Sequence, residues 1–221
     1  MKKIYLSPSN QEHNAGKGAY GTEEQRMHEL AAMVAKALQR YGTAFATKIS
    51  NPLWNMGRVC ADSNGFHSDA HLCLHTNAGG GDGTVVFYGS AKGKELSAHI
   101  YKYVAPESPG KDEGLRSWPG LYEIGNTSAP VAYFELFFHD NYAEVNDYLA
   151  HKDHYVEAIV HGLCDWAGVK YEVVPAAIDY RPLKREAVKV AKQLGIPQSV
   201  DVNAVGKGAA FEKLLREIAG R

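Results

Sequence analysis

The hydrophobic pattern of the first 170 residues alternates between short apolar runs and helical spacing. The short runs predict strands over 3–7, 43–50, 70–75, 84–89 and 130–138. Apolar residues at three- and four-residue spacing predict helices over 22–42, 54–67, 94–105, 141–150 and 152–167. The stretch 106–120 is rich in proline, glycine and charge, which predicts a long surface loop. Strands that alternate with helices predict an α/β fold, a twisted and mostly parallel sheet with helices on both faces.

The pattern also predicts the domain organisation of the 221-residue chain. We expect a main domain over residues 1–170, a linker over 171–182 and a small helical appendage over 183–221. Residues 1–175 carry 15 basic and 20 acidic side chains, whereas residues 176–221 carry 9 basic and 5 acidic ones. This asymmetry indicates either an anionic partner for the tail or an ordinary solvated helix face.

Composition excludes several classes of protein. An apolar fraction of 45% is typical of a packed globular chain, and no segment is long and apolar enough to span a membrane. The start, "MKKIYLSPSNQEHN", is a first strand and not a secretory signal, which predicts a chain that is cytoplasmic on synthesis. Cys60, Cys73 and Cys164 are widely spaced in apolar contexts, so we expect buried free thiols and no disulfides.

Three chemically active side chains stand where a sheet should be apolar or should end. His75 ends the predicted strand 70–75, His13 follows the first strand, and Glu135 lies inside the apolar run "VAYFELFF". Sites in open α/β sheets form beyond the carboxyl ends of the strands, where these residues can converge. Burial of the Glu135 carboxylate costs several kcal/mol unless it is paired or protonated, so Glu135 is half of an ion pair, a residue at a solvated strand edge, or a general acid or base.

Other polar residues have simpler explanations. His71, Cys73 and His75 alternate onto one face of their strand, but alternate residues lie ~6.5–7 Å apart, which spreads the outer two too widely for one metal ion. Glu23 and Glu24 both lie in the first turn of a helix, where carboxylates favour the helix dipole. The helix terminus alone does not distinguish these two glutamates.

A catalytic zinc needs three protein ligands and an open position for water. His13, Glu24 and His75 offer such a set, with Glu135 as the base that acts on the water. An isolated histidine at the end of a strand is equally explained as a satisfied core residue, so this spacing alone leaves the metal site open.

Three motifs, in chain order, resemble a known family. "SPSNQEHNAGKGAYGTEEQRM", "DAHLCLHTNA" and "APVAYFELFFHDN" are similar to motifs of the zinc-dependent N-acetylmuramoyl-L-alanine amidases of the amidase-3 type, above all those of phage and prophage endolysins. The resemblance covers about residues 1–168 and implies the α/β fold of that family, which is like that of zinc peptidases.

The resemblance implies one zinc ion held by His13, Glu24 and His75, with Glu135 as the catalytic glutamate. Glu24 is preferred to Glu23 because the match counts forward to Met27 and His28. The commonest form of the family has its first histidine in Pro-Gly-His-Gly, whereas "SNQE" separates Pro8 from His13 here. Glu12 and His28 are therefore alternatives to His13. The resemblance also makes Asn77 a candidate for hydrogen bonding to substrate.

The function implied is hydrolysis of the amide bond between N-acetylmuramic acid and L-alanine in bacterial peptidoglycan, which would lyse the cell wall after holin-type release. The glycines of "TNAGGGDG" would let a bulky substrate approach the backbone. Two alternatives remain: a zinc peptidase that cuts within the stem peptide, and a non-catalytic wall-binding protein. The acidic main domain argues against nucleic acid as a partner, and the basic tail is a candidate for wall binding.

Overall fold

The computed structural model describes residues 1–172 of the chain. Its contacts divide the protein into two units, Met1–Tyr171 and Glu172–Arg221. The predicted linker at 171–182 and the predicted helical tail at 183–221 lie almost wholly outside the described residues.

Six strands form one sheet in the order β2-β1-β3-β6-β4-β5. The strands are β1 (Lys2–Pro8), β2 (Phe45–Ile49), β3 (Ala70–Asn77), β4 (Thr84–Tyr88), β5 (Asp112–Ser117) and β6 (Val131–Phe138). The first four in spatial order run parallel, whereas β4 is antiparallel to β6 and β5 is parallel to β4. The mostly parallel sheet that the sequence predicts is therefore confirmed.

Within residues 1–172, six α-helices surround the sheet: α1 (Glu23–Leu38), α2 (Met56–Phe66), α3 (Ala91–Val104), α4 (Tyr122–Asn126), α5 (Tyr142–Ala150) and α6 (Lys152–Ala167). The Thr22 side chain accepts a hydrogen bond from the backbone N–H of Gln25 at 3.2 Å, which caps α1 close to the predicted start of that helix at residue 22. None of the helices in residues 1–172 is long and apolar enough to cross a membrane.

The two faces of the sheet differ in chemistry. Alternate strand residues such as Leu6, Leu72 and Phe134 point into a wholly buried apolar core shared with α1, α3 and α6. The intervening residues point to the opposite face, which α2 and α4 cover in part. That second face carries His71, Cys73 and His75 of β3, so the candidate chemistry lies over the sheet on one side only.

The structure corrects one prediction about the elements. The predicted loop 106–120 contains the edge strand β5, and the short helix α4 follows it. Charged residues on β5 hide the strand pattern because an edge strand is paired on one side only and its side chains stay largely solvated. The expectation of buried free thiols is confirmed for Cys60, Cys73 and Cys164.

Candidate active site

His75 and Glu135 meet near the carboxyl end of β3. They are register partners in the neighbouring parallel strands β3 and β6, and the register of this pair shifts immediately afterwards, between His75 and Asn77. His75 is 7% exposed, and its ring stacks on Tyr133 with centroids 4.6 Å apart. The topology therefore brings together two residues that lie 60 positions apart in the chain, as the sequence predicts from the ends of parallel strands.

Glu23, the first residue of α1, completes this group. It is fully buried, and its Oε1 atom lies 3.0 Å from His75 Nδ1 and accepts a hydrogen bond from the backbone N–H of Thr76 at 3.2 Å. Its Oε2 atom accepts a bond from the Asn14 amide at 2.9 Å. Burial alone would raise the pKa of Glu23, but the hydrogen bond and the charge of His75 outweigh it and lower that pKa. We call Glu23, His75 and Glu135 the edge cluster.

Glu135 differs from Glu23 because it lacks a partner. Its Oε2 atom is shielded from solvent and has no hydrogen bond within the described residues, although the residue as a whole keeps some exposed surface. Burial raises the pKa of Glu135 to about 7, against the opposing charge of His75 and with a further contribution from Glu23. A buried carboxylate oxygen without a donor is costly, so the edge cluster is chemically incomplete without a ligand.

The donor set of the edge cluster suits zinc. Neutral imidazole nitrogen and carboxylate oxygen are ordinary zinc ligands, and two ligands of a tetrahedral zinc lie roughly 3.3 Å apart. The 3.0 Å separation of His75 Nδ1 and Glu23 Oε1 is close to that spacing. Burial alone would lower the pKa of His75, but the bond to Glu23 and the charges of Glu135 and Glu23 raise it. The edge cluster therefore fits a bound dication, which would take the place of the proton that His75 and Glu23 share in their hydrogen bond.

A second network fixes Glu23 from behind. Thr76, which donates its backbone N–H to Glu23, bonds through Oγ1 to the Tyr20 hydroxyl and to His139 Nδ1, both at 3.0 Å. Tyr20, Thr76 and His139 are all at least 96% buried, and the rings of Tyr20 and His139 stack 5.9 Å apart. His139 follows the Glu135 strand directly, so its role is to hold the carboxyl edge of the sheet together.

The structure does not bring all predicted residues into this cluster. Glu24 is partly exposed and makes no hydrogen bond or ion pair within the described chain, because one step along a helix turns a side chain by about 100° away from the face that Glu23 occupies. The structure therefore places Glu23, and not Glu24, beside His75. Met27, to which the motif match counts forward, shares the buried face of α1 with Glu23.

His13 lies on the exposed loop before α1. Its side chain is 93% exposed, and its Nε2 atom lies 3.2 Å from Glu12 Oε1. The next residue, Asn14, is the one that donates to Glu23. His28 keeps a buried Nε2 atom without a hydrogen bond in the described chain, and burial lowers its pKa.

Asn77 lies at the end of β3, half-buried, beside the glycine-rich loop 78–83. Its Oδ1 atom accepts a hydrogen bond from the backbone N–H of Ala78 at 2.9 Å. Asp140 accepts bonds from the N–H groups of Gly79 and Gly80 at 2.8 and 2.9 Å, so the loop is held down next to the edge cluster. A φ of +117° at Gly79 explains why a glycine stands there.

A second polar group lies deeper on the same face and was not predicted. His71, Cys73 and Glu123, here called the inner cluster, have ligand atoms within 4.8 Å of one another and could hold a metal ion. Glu123 Oε2 accepts bonds from His71 Nε2 at 2.8 Å, from Ser7 Oγ at 2.7 Å and from Cys73 Sγ at 3.5 Å. Burial works against the ionised form, but the bond and the charge of His71 lower the pKa of Glu123.

The sequence analysis singled out two of the three residues of the inner cluster. His71 and Cys73 share a strand face with His75, as predicted, but Glu123 comes from α4, in a segment whose pattern had no strand or helix signal. Its only sequence signal is a glutamate between apolar residues in "LYEIG". The predicted obstacle to a metal bound by both His71 and His75 agrees with the structure, where the two histidines have different carboxylate partners.

Comparisons with known proteins agree on one family. The profile of the N-acetylmuramoyl-L-alanine amidase family matches residues 4–165. The catalytic domain of CwlV, an N-acetylmuramoyl-L-alanine amidase from Bacillus (Paenibacillus) polymyxa var. colistinus, superposes with a TM-score of 0.69 at 18% identity, over 77% of this chain and 100% of that domain.

Two further structures have the same fold. The amidase AmiC2 of Nostoc punctiforme gives a TM-score of 0.66 at 17% identity, over 76% of this chain and 97% of that one. The catalytic domain of the CD27L endolysin, which targets Clostridia difficile, gives 0.64 at 19% identity, over 78% and 100%. No curated protein sequence matches this chain.

Proposed function

This chain belongs to the N-acetylmuramoyl-L-alanine amidase family, and we propose that it hydrolyses the amide bond between the lactyl group of N-acetylmuramic acid and the L-alanine of the peptidoglycan stem peptide. The observation that carries the proposal is the unpartnered, buried Oε2 atom of Glu135 beside the paired side chains of His75 and Glu23. This arrangement offers two metal ligands and a base within one small volume.

The proposed cofactor is one zinc ion. His75 and Glu23 would be two of its ligands, with Glu23 in the place that the motif match gave to Glu24. His13 is the proposed third ligand, and it is supported by its neighbour Asn14, whose amide donates to Glu23 Oε2 at 2.9 Å. This assignment requires the loop before α1 to turn the His13 ring inward. Zinc bound there would polarise the substrate carbonyl and lower the pKa of a bound water.

Glu135 is the proposed general base and acid. Its free carboxylate oxygen would accept the proton of the attacking water and then deliver it to the nitrogen of the departing L-alanine. The C–N bond breaks, the lactyl carbonyl carbon gains the water oxygen to become a carboxylate, and the stem peptide leaves with a free amino terminus. The raised pKa of Glu135, about 7, suits a group that both takes up and returns a proton near neutral pH.

Asn77 and the glycine-rich loop form the proposed substrate-facing rim. The Asn77 Oδ1 atom is occupied by Ala78, which leaves its amide N–H groups as the donors available to a substrate carbonyl. The loop is held by Asp140 and by Glu144, whose Oε1 atom accepts from the backbone N–H of Gly83 at 2.6 Å. A rim held in this way would present its backbone to the substrate without having to become ordered.

The proposed biological role is lysis of the bacterial cell wall, as an endolysin or a related wall hydrolase. The similarity of the three sequence motifs to endolysins supports it, as does the fold shared with an endolysin catalytic domain. The basic segment at 176–221 is the proposed wall-binding part.

The test is digestion of purified peptidoglycan with analysis of the products. We expect new L-alanine amino termini and intact glycan strands, loss of activity with a chelator, and recovery with Zn²⁺. Glu135→Gln should lower the rate by about 10²–10⁴-fold while thermal unfolding and zinc content stay unchanged. New amino termini within the stem peptide would instead indicate a peptidase, and full activity of Glu135→Gln would overturn the assignment of the base.

A further inference from the structure

A row of aromatic rings leads away from the edge cluster along the open part of the sheet. Tyr133 lies two residues before Glu135 on the same face of β6, Phe87 is its register partner on β4, and Arg116 is the partner of Phe87 on β5. Trp118 follows two residues later, so it continues the same face. Tyr133 and Phe87 keep part of their surface exposed, and Trp118 is 50% exposed.

The rings are in continuous contact from His75 to Trp118. The centroids of His75 and Tyr133 are 4.6 Å apart, those of Tyr133 and Phe87 are 6.4 Å apart, and those of Phe87 and Trp118 are 5.2 Å apart. The last pair meets at an interplanar angle of 78°, the edge-to-face arrangement that aromatic rings favour. The row therefore connects the edge cluster to an exposed indole at its far end.

Trp118 is carried on a rigid support. Its backbone N–H donates to the Tyr88 carbonyl at 2.8 Å, and a Cβ atom added at Gly89 would lie 3.3 Å from Pro119. Directly beyond this turn, Glu123 of the inner cluster anchors α4 to β1 and β3. The backbone that carries the indole is thus anchored, and the ring packs edge to face on Phe87, which reduces the entropy lost on binding.

The chemistry of this end suits a neutral, flat-sided ligand. Arg116, which lies on the strand between Phe87 and Trp118, is paired with Glu113 at 2.5 Å, and this nearby carboxylate weakens its attraction for a stem-peptide carboxylate. An N-acetylated pyranose carries no charge, offers an apolar C–H face to an aromatic ring, and keeps its hydroxyl groups at its edge. An exposed row of apolar rings bordered by polar residues typically marks a binding surface.

We propose that Trp118 stacks on a sugar ring of the glycan strand and that the row formed by Tyr133, Phe87 and Trp118 is the saccharide track of the enzyme. The inference rests on the proposed function and adds to it the direction in which the glycan runs from the scissile bond. Val85 on β4 pairs with both Glu135 on β6 and Gly114 on β5, so Gly114 lies level with Glu135 along the strand direction. Trp118 is four residues after Gly114, which places it roughly 13 Å from Glu135 in that direction. Trp118 therefore contacts a sugar beyond the one that carries the scissile amide.

The first test compares two substrates with the same stem peptide, N-acetylmuramoyl-peptide and a tetrasaccharide of alternating N-acetylglucosamine and N-acetylmuramoyl-peptide. Trp118→Ala should raise KM for the tetrasaccharide about five- to tenfold with kcat unchanged, and should leave the short substrate unaffected. Trp118→Phe should recover most of the loss. Tyr142→Ala removes another exposed ring, 60% exposed and outside the row, and should behave as the wild type.

A second measurement separates this inference from the proposed function. N-acetylglucosamine trimer, a neutral saccharide, should change the indole fluorescence of the wild type, and the change should be absent in Trp118→Phe, whether or not the chain cleaves peptidoglycan. A wild type that cleaves both substrates while Trp118→Ala has unchanged KM values would overturn the track and leave the amidase intact. An equal rise in KM for both substrates would indicate contact with the stem peptide and overturn the saccharide assignment, as would an equal effect of Tyr142→Ala.

Discussion

The edge cluster and the inner cluster hold the same kinds of side chain on the same face of one sheet, yet they differ in how completely their polar atoms are bonded. In the inner cluster both ring nitrogens of His71 have partners, and Glu123 Oε2 accepts three hydrogen bonds. In the edge cluster Glu135 Oε2 is buried and accepts none within the described residues. A closed network, in which every buried polar atom is hydrogen-bonded, stabilises the fold. An open network, which leaves a buried polar atom without a partner, is suited to binding, because a ligand that bonds to that atom removes the cost of leaving it unsatisfied.

The difference follows from where each cluster lies along the strands. The inner cluster lies at the level of His71 and Cys73, beneath α2 and α4, where Ser63 and Ser7 supply the remaining partners. The edge cluster lies at the carboxyl end of β3, where a loop and the first turn of α1 meet the sheet. Helices can pack along the middle of a face, whereas the edge is covered only by loops and helix ends, so this is where incomplete networks occur.

The strongest test of the contrast is removal of Glu23. Glu23→Gln should abolish binding of one zinc per chain at micromolar metal and lower activity by at least about 100-fold, because it removes the charge of a proposed ligand and leaves His75 without its carboxylate partner. Zinc content by atomic absorption, together with the rate on peptidoglycan, provides the measurement. The matched control is Glu24→Gln, one residue along the same helix, which should retain both. Loss of zinc in the control with retention in Glu23→Gln would reverse the assignment.

An intermediate effect is expected for the inner cluster, in stability and not in metal. Glu123→Ala leaves His71 buried without its carboxylate partner, which should lower the free energy of unfolding by about 3–5 kcal/mol in a urea titration. Zinc content should stay at that of the wild type at temperatures where the variant is folded. Glu123→Gln keeps part of the hydrogen bonding and should cost less. Loss of zinc without loss of stability would make the inner cluster the metal centre.

The smallest effect should come from Cys73, the thiol of the inner cluster. Burial raises the pKa of Cys73 well above its usual range, so the sulfur is a neutral donor at a long 3.5 Å from Glu123. Cys73→Ala should lower the unfolding free energy by about 1–2 kcal/mol and leave the rate and the zinc content unchanged. A drop in bound zinc would contradict the view that the inner cluster stabilises the fold and does not bind the metal.

Much of the site could be predicted from the sequence because its residues lie within or at the ends of predicted strands. His75 and Glu135 are register partners because β3 and β6 are parallel neighbours, and the apolar run around Glu135 identifies a central strand. The sequence could not predict which of Glu23 and Glu24 faces His75, because the helix dipole favours a carboxylate at both positions. Only the rotation of α1 about its axis, relative to the sheet, buries Glu23. His13 remains a prediction, and so does the ligand role of every residue named.

The missed elements have a common cause. β5 is an edge strand with charged side chains, and α4 is a helix of five residues that is anchored to the sheet by a buried glutamate, Glu123. Periodicity detects segments that bury a regular apolar face, and neither of these does so. The aromatic row is equally invisible in the sequence because Tyr133, Phe87 and Trp118 come from three strands or turns that the sheet order makes adjacent.

By itself, the sequence determined the α/β class, the strands that carry or precede the candidate site residues, and the family motifs. These features depend on local periodicity and on residues that are adjacent in the chain. Only the tertiary structure decided which glutamate faces His75, which polar cluster is fully hydrogen-bonded and which is not, and where an exposed indole lies relative to Glu135. These depend on helix rotation and on hydrogen bonds between residues 50 or more positions apart, such as the 52 that separate Glu23 from His75. No local pattern encodes such partners, because each is set by the packing of the whole sheet.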